Sequence, residues 1–187
     1  MLDFGIRCQW LMTMKNGKAD VLNDYFIGVQ GSVIKIVEPF HNQKANKNLH
    51  FQNQLVMPGL INGHTHLPMT LFRGLADDEP FEKWLFQTIV PLESKIVDGD
   101  FVKVGTELAV AECIRFGVTS VCDMYFFTTE IADVLDRFGI RGLVAEGILD
   151  FPTPDNKGDL AKSFWYLDQL CERYLGHDRV SVAVGPH

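Results

Sequence analysis

The stretch Phe101–Cys122, FVKVGTELAVAECIRFGVTSVC, sets the pattern from which the fold is read. Phe101, Val104, Leu108 and Ala111 recur at three- and four-residue spacing and mark one face of a helix. Gly117 follows where the left-handed residue that closes a helix belongs, and Val118–Cys122 restarts as a strand. The same grammar repeats downstream. Ile131, Val134, Leu135 and Phe138 form a second stripe closed by Gly139, and Arg141–Ala145 supplies the next strand. Leu160, Phe164, Leu167, Cys171 and Tyr174 form a third stripe closed by Gly176, followed by a strand at Val180–Val184. Upstream, Leu55–Ile61 reads as one buried strand. Strand and helix in alternation predict an α/β fold with a parallel sheet covered by helices. Units of this size fit a doubly wound sheet or part of a (β/α)8 barrel, and periodicity alone does not choose between them.

Before Leu55 the pattern differs. Short β-like segments, Asp24–Val29 and Ser32–Val37, are separated by the turn clusters Lys15-Asn16-Gly17 and Gln30-Gly31. They predict a small β subdomain. His41–Asn48, HNQKANKN, has no apolar face and reads as an exposed loop.

With 187 residues, 47% of them hydrophobic, the chain can bury a sizeable core. Its 24 acidic and 17 basic residues leave a formal charge of −7, and no stretch concentrates Lys or Arg, which argues against nucleic acid and anionic membrane as partners. The opening MLDFGIRCQWLMTMKNG lacks a basic region followed by an unbroken apolar run, so a soluble, cytoplasmic protein is expected. Cys8, Cys113, Cys122 and Cys171 are spread without a C-x-x-C pair and read as reduced core residues.

The chemistry concentrates in Met57–Pro68, MPGLINGHTHLP, where an apolar run leads into His64-Thr65-His66. Side chains at i and i+2 of a strand point the same way, so both imidazoles can meet one cation. Neutral imidazole nitrogen is a good zinc ligand, at about 2.0–2.1 Å. An isolated H-x-H also fits two loop histidines bonded to backbone or solvent. Position favours a ligand pair, because sites in βα folds gather beyond the C-terminal ends of strands.

Extended by one residue, VMPGLINGHTHLP (56–68) resembles the first barrel strand of the amidohydrolase superfamily. Arg73-Gly74, Asp77-Asp78, Trp84-Leu85 and Pro91-Leu92-Glu93 follow in the order of its deaminase and chlorohydrolase branch, especially the methylthioadenosine/S-adenosylhomocysteine deaminases. Gly185-Pro186-His187 resembles that family's fourth-strand motif, and the likeness runs from end to end of the chain.

The resemblance implies a partial (β/α)8, TIM-like barrel of about four strands over residues 57–187. Residues 1–56 would form a β subdomain belonging to a composite β-sandwich. It assigns His64 and His66 to one divalent metal, zinc first, with iron and nickel as alternatives that imidazole serves as well. It implies that Trp84 and Glu93 line a nucleoside pocket and that His187 contacts substrate near the metal. Without the family, Trp84 reads as a core aromatic, Glu93 as a solvated or capping acid and His187 as a free terminal residue. Arg73, Asp77 and Asp78 read as a hydrogen-bonded turn or exposed ion pair. Glu146 stands where homocysteine-nucleoside deaminases often carry an arginine, which would disfavour a carboxylate-bearing substrate.

The expected activity is metal-dependent hydrolytic deamination of an adenosine-like or other amino-substituted N-heterocycle. The alternatives are a chlorohydrolase of triazine-like rings and a non-catalytic half-barrel module. A full barrel needs roughly 250 residues. The family's further ligands, a fifth-strand His and an eighth-strand Asp, and its proton-shuttling Glu are therefore expected beyond His187, with no catalytic residue inside this chain. Open strand edges at Leu55–Ile61 and Val180–Val184 would invite pairing, so a homo-oligomer or a partner carrying the other half is expected.

Overall fold

The computed structural model describes residues 1–187, the side chain of Asn16 excepted. It divides into two compact units, Met1–Pro58 and Gly59–His187.

The first unit is a four-stranded sheet of β1 (Phe4–Thr13), β2 (Asp20–Gln30), β3 (Val33–Pro39) and β4 (Lys47–Val56), in the order β3-β2-β1-β4. β1 pairs antiparallel with β2 and parallel with β4. The β2–β3 hairpin turns through Gly31, whose φ of +58° suits a residue without a Cβ. One face carries a small core of Cys8, Leu11 and Ile27.

Leu55–Ile61 is not one strand. Leu55 and Val56 end β4 against Trp10 and Leu11, whereas Leu60 opens β5 (Leu60–Thr65) in the other sheet. Pro58 cannot donate to a ladder, and a Cβ on Gly59 would collide with Thr119. Ile61, expected inside, is 77% exposed because β5 lies at the sheet edge.

The second unit is built on four parallel strands in sequential order, β5, β6 (Val118–Tyr125), β7 (Arg141–Ile148) and β8 (Val180–Pro186). Between β5 and β6 lie a 3-10 segment at Leu67–Phe72, then α1 (Phe81–Lys83), a π-helical turn at Trp84–Ile89, α2 (Val90–Ile96) and α3 (Gly99–Arg115). α4 (Thr128–Phe138) and α5 (Leu160–Tyr174) are the remaining crossovers. Asp98 caps α3 by accepting from the Phe101 N–H at 2.8 Å, and Asp159 caps α5 in the same manner. Gly117, Gly139 and Gly176 take positive φ after their helices, as the stop signals predicted.

The helix faces differ from the sequence reading in two places. α3 buries Val102, Gly105, Thr106, Ala109 and Val110, and leaves Val104 and Leu108 exposed. The helix is apolar on more than one side, so its period marks two candidate faces. The buried one is set by Gly105, where a Cβ would come within 2.6 Å of the Pro68 carbonyl oxygen. Only a residue without a side chain allows that approach. α5 buries Ser163, Leu170 and Tyr174, while Leu160 and Phe164 are exposed. Ser163 is drawn inside by a polar cluster around Asp155 and Asn156. Of the four cysteines, all free, only Cys8 is buried; the others are half-buried. Among the described residues no helix is long and apolar enough to cross a membrane.

Candidate metal and substrate site

β5 delivers His64 and the residue after its end, His66, to the same side. Their Nε2 atoms lie 3.3 Å apart, with ring planes at 86°. The two-residue spacing accounts for the convergence, and ties to β6 hold it. Thr65 Oγ1 donates to the Cys122 carbonyl at 3.1 Å and to Asp123 Oδ1 at 2.7 Å. His66 Nδ1 stands 2.6 Å from the Met124 carbonyl, and the Leu67 N–H donates to Asp123 Oδ1 at 2.6 Å. A carbonyl oxygen can only accept, so Nδ1 of His66 donates to it, which leaves Nε2 as the nitrogen that faces His64. A histidine whose Nδ1–H is tied to a carbonyl is oriented to ligate a metal through Nε2. Two imidazole nitrogens so disposed fit a divalent ion. Among the described residues no cluster of three or more His, Cys, Asp or Glu joins them.

Asp123 is fully buried, and its Oδ2 has no hydrogen-bond partner. Burial pushes its carboxyl up to about 6, against the hydrogen bonds from Thr65 and Leu67, which favour the charged form.

Beside the histidines lies a cavity of about 270 Å³, lined by His66, Glu93, Tyr125 and His187 among apolar side chains such as Phe86 and Phe151. Glu93 sits in the first turn of α2, after Pro91 and Leu92, and is only 8% exposed. Its carboxylate is not wholly free, since Oε1 accepts from the Tyr125 hydroxyl at 2.6 Å. Oε2 makes no hydrogen bond among the described residues. Burial raises the Glu93 carboxyl above its ordinary range, opposed by Tyr125 and by His66, and burial beside Glu93 raises the Tyr125 phenol. His187 follows β8 and lines the cavity, anchored by its N–H on the Ile148 carbonyl at 3.1 Å.

Trp84 is not brought to this cavity. It is half-buried at the start of the π turn, where Nε1 donates to the Leu75 carbonyl at 3.2 Å, and its neighbours Leu85 and Phe86 reach the cavity instead. Successive helical residues face different directions, so a motif position does not determine which of three adjacent apolar residues points inward. Arg73 pairs in bidentate fashion with Glu112, at 2.8 and 2.7 Å, rather than with Asp77 or Asp78.

Glu146 also turns away. Its neighbour Gly147 lines the cavity, and alternation along β7 sends Glu146 to the opposite face. There it is fully buried, and its Oε2 accepts from the backbone N–H and hydroxyl of Thr128. Burial, reinforced by the nearby Asp155 and opposed by Thr128, pushes its carboxyl up to about 8. The expected clash with a substrate carboxylate therefore has no geometric basis. Sequence reasoning missed Tyr125, Asp123 and the wall at Phe151–Pro154. The first two were within reach, because polar residues at the C-terminal end of a βα strand are candidates by position.

Residues 55–187 match the model of the Amidohydrolase family. The chain belongs to that family. A 5-methylthioadenosine/S-adenosylhomocysteine deaminase of Thermodesulfovibrio yellowstonii is 40% identical over 193 residues, covering 98% of this amidohydrolase chain and 43% of that protein. The chain therefore spans less than half the length of that relative. An adenosine deaminase of Xanthomonas campestris, solved with bound zinc, superposes with a TM-score of 0.94 at 35% identity, over all of this chain and 43% of the other. An atrazine chlorohydrolase of Arthrobacter aurescens, also solved with zinc, has a TM-score of 0.81 at 19% identity, over 98% of this chain and 46% of its own, a likeness of fold alone. The α/β architecture is that of the amidohydrolase structures.

Proposed function

We propose that this chain is the N-terminal portion of a metal-dependent hydrolytic deaminase acting on an adenosine-like nucleoside. The observation that carries the reading is the meeting of the His64 and His66 Nε2 atoms at 3.3 Å, with His66 also lining a cavity together with Glu93 and His187. The identity to a deaminase over nearly the whole chain supports the substrate class and weighs against the chlorohydrolase alternative. In this reading β5–β8 are the first four strands of a (β/α)8 barrel over residues 57–187. Residues 1–56 contribute to a composite β-sandwich. The enzyme is cytoplasmic, takes a small heterocyclic substrate, and has its barrel closed by a C-terminal half or by another subunit.

His64 and His66 would hold one divalent ion, zinc by preference. When bound, such an ion supplies the Lewis acidity that brings the ionisation of water close to neutral pH. The chain's own residues do the rest of the work assigned to them here. Glu93 Oε2, with Oε1 fixed by Tyr125, accepts hydrogen bonds from sugar hydroxyls. Phe86 and Phe151 pack on the apolar parts of the nucleoside and exclude water, and His187 donates to the substrate near the metal. Trp84, bonded to the Leu75 carbonyl away from the cavity, has no substrate contact in this reading. General acid–base groups and further metal ligands come from outside these residues.

The test uses zinc-loaded protein from the complete reading frame, offered adenosine, 5′-deoxyadenosine, methylthioadenosine and a chlorotriazine. Ammonia release from the nucleosides, lost in H64A and H66A, is expected. Chloride release without ammonia would favour the chlorohydrolase, and turnover of amides or ureas alone would refute the deaminase reading.

A further inference from the structure

The backbone ladder between β5 and β6 is irregular between Asn62 and Thr65, and a Cβ on Gly63 would meet nothing within 4 Å. Ladder hydrogen bonds and packing therefore do little to hold the segment that carries the two histidines. What holds it is a set of side-chain ties in which residues 65, 66 and 67 each bond to residues 122–124. One oxygen takes two of them. Asp123 Oδ1 accepts from Thr65 Oγ1 on one side of His66 and from the Leu67 N–H on the other. Leu67 opens the 3-10 segment and is buried, so without Asp123 its N–H would lose its partner.

We propose that Asp123 is the positioning residue of the His64–His66 pair, its Oδ1 pre-setting the backbone on both sides of His66 so that the two Nε2 atoms converge before any metal arrives. The proposal rests on reading the pair as metal ligands. Asp123 does not ligate; it acts through Thr65 and Leu67, and the Met124 carbonyl next to it selects the His66 tautomer. Groups that orient histidine ligands carry much of a site's affinity, and their removal typically weakens metal binding by about 10- to 100-fold. The orphaned Oδ2 marks the cost the fold tolerates to keep the clamp in a dry position.

The test is zinc titration by calorimetry of metal-free protein from the complete reading frame, well below the melting temperature of each variant, with the metal-free Tm recorded alongside. D123A should bind zinc about 10- to 100-fold more weakly. T65V, which removes one of the two donors, should lose roughly 3- to 10-fold. D123N keeps an acceptor at the Oδ1 position and should stay within about threefold of wild type. Long-range ¹H–¹⁵N spectra of the metal-free protein should show His66 protonated at Nδ1 in wild type and a tautomer mixture in D123A. Wild-type zinc affinity in D123A and T65V would overturn the proposal, whatever happens to Tm, because a merely structural cap changes stability and leaves affinity alone. Where D123A fails to fold, T65V decides by the same criterion. D123N as weak as D123A would assign the effect to charge and overturn the acceptor role. Equal zinc binding by wild type and H66A would instead refute the metal reading beneath it.

Discussion

Replacing Glu146 with Gln should flatten the stability of this chain between pH 6 and 8. The carboxyl is buried on the face of β7 away from the cavity, with Oε2 held by Thr128 and Oε1 meeting no donor. Its pKa is pushed up to about 8 from an ordinary 4.5, by burial first and by Asp155 second. Between those values the folded state holds a proton that the unfolded chain has released, so stability falls as pH rises and levels off above about 8. Below 4.5 both states are protonated and the group adds no slope. A tenfold change in proton affinity is worth about 1.4 kcal/mol, so the loss across this window is bounded at roughly 5 kcal/mol. Asp123, with a window from 3.8 to about 6, and Glu93, whose carboxyl burial also raises, have the same sign, so the difference in slope between wild type and E146Q isolates Glu146. Tyr166 faces the same cluster, and burial raises its phenol above an ordinary 10, outside the window. Gln preserves the shape, keeps an acceptor for Thr128 and can donate to Asp155. Urea denaturation followed by circular dichroism from pH 5 to 8.5 at fixed ionic strength reads the slope directly. The same slope between pH 6 and 8 in wild type and E146Q would refute the reasoning.

Two further perturbations probe the packing and the cavity. G105A places a Cβ 2.6 Å from the Pro68 carbonyl oxygen and 2.8 Å from its Cα. The overpacking should cost about 1–3 kcal/mol and outweigh the roughly 1 kcal/mol gained in helix propensity, so urea melts showing a stabilised variant would disprove the close approach. In zinc-loaded protein from the complete reading frame, E93Q should lower kcat/KM for nucleosides by roughly 10- to 100-fold, the scale of one charge-assisted hydrogen bond, with far less effect on the free base. Equal losses on nucleoside and base would mean that Glu93 supports the site through Tyr125 instead of reading the sugar.

The alternation of strand and helix after residue 59, the glycine stops at 117, 139 and 176, and the shared side of His64 and His66 were legible without coordinates. Each follows from local geometry: a period of 2 or 3.6, and the freedom of glycine at positive φ. The rest depended on what lies opposite. An apolar run from Leu55 to Ile61 looks the same whether it is one buried strand or the ends of two, and Pro58 with Gly59 divides it only once Thr119 is in place. The inward face of α3 was decided by the approach of the Pro68 backbone to Gly105, since the helix's own pattern offered two. Trp84 and Glu146 carried motif positions, yet helix rotation and strand alternation turned both away from the cavity. Tyr125 and Asp123 stand 32 and 58 residues from the partners that explain them, Glu93 and Thr65. A hydrogen bond across such a distance leaves no local periodicity, so the residue types and their order announced the chemistry, and only tertiary packing decided which side chains hold it in place.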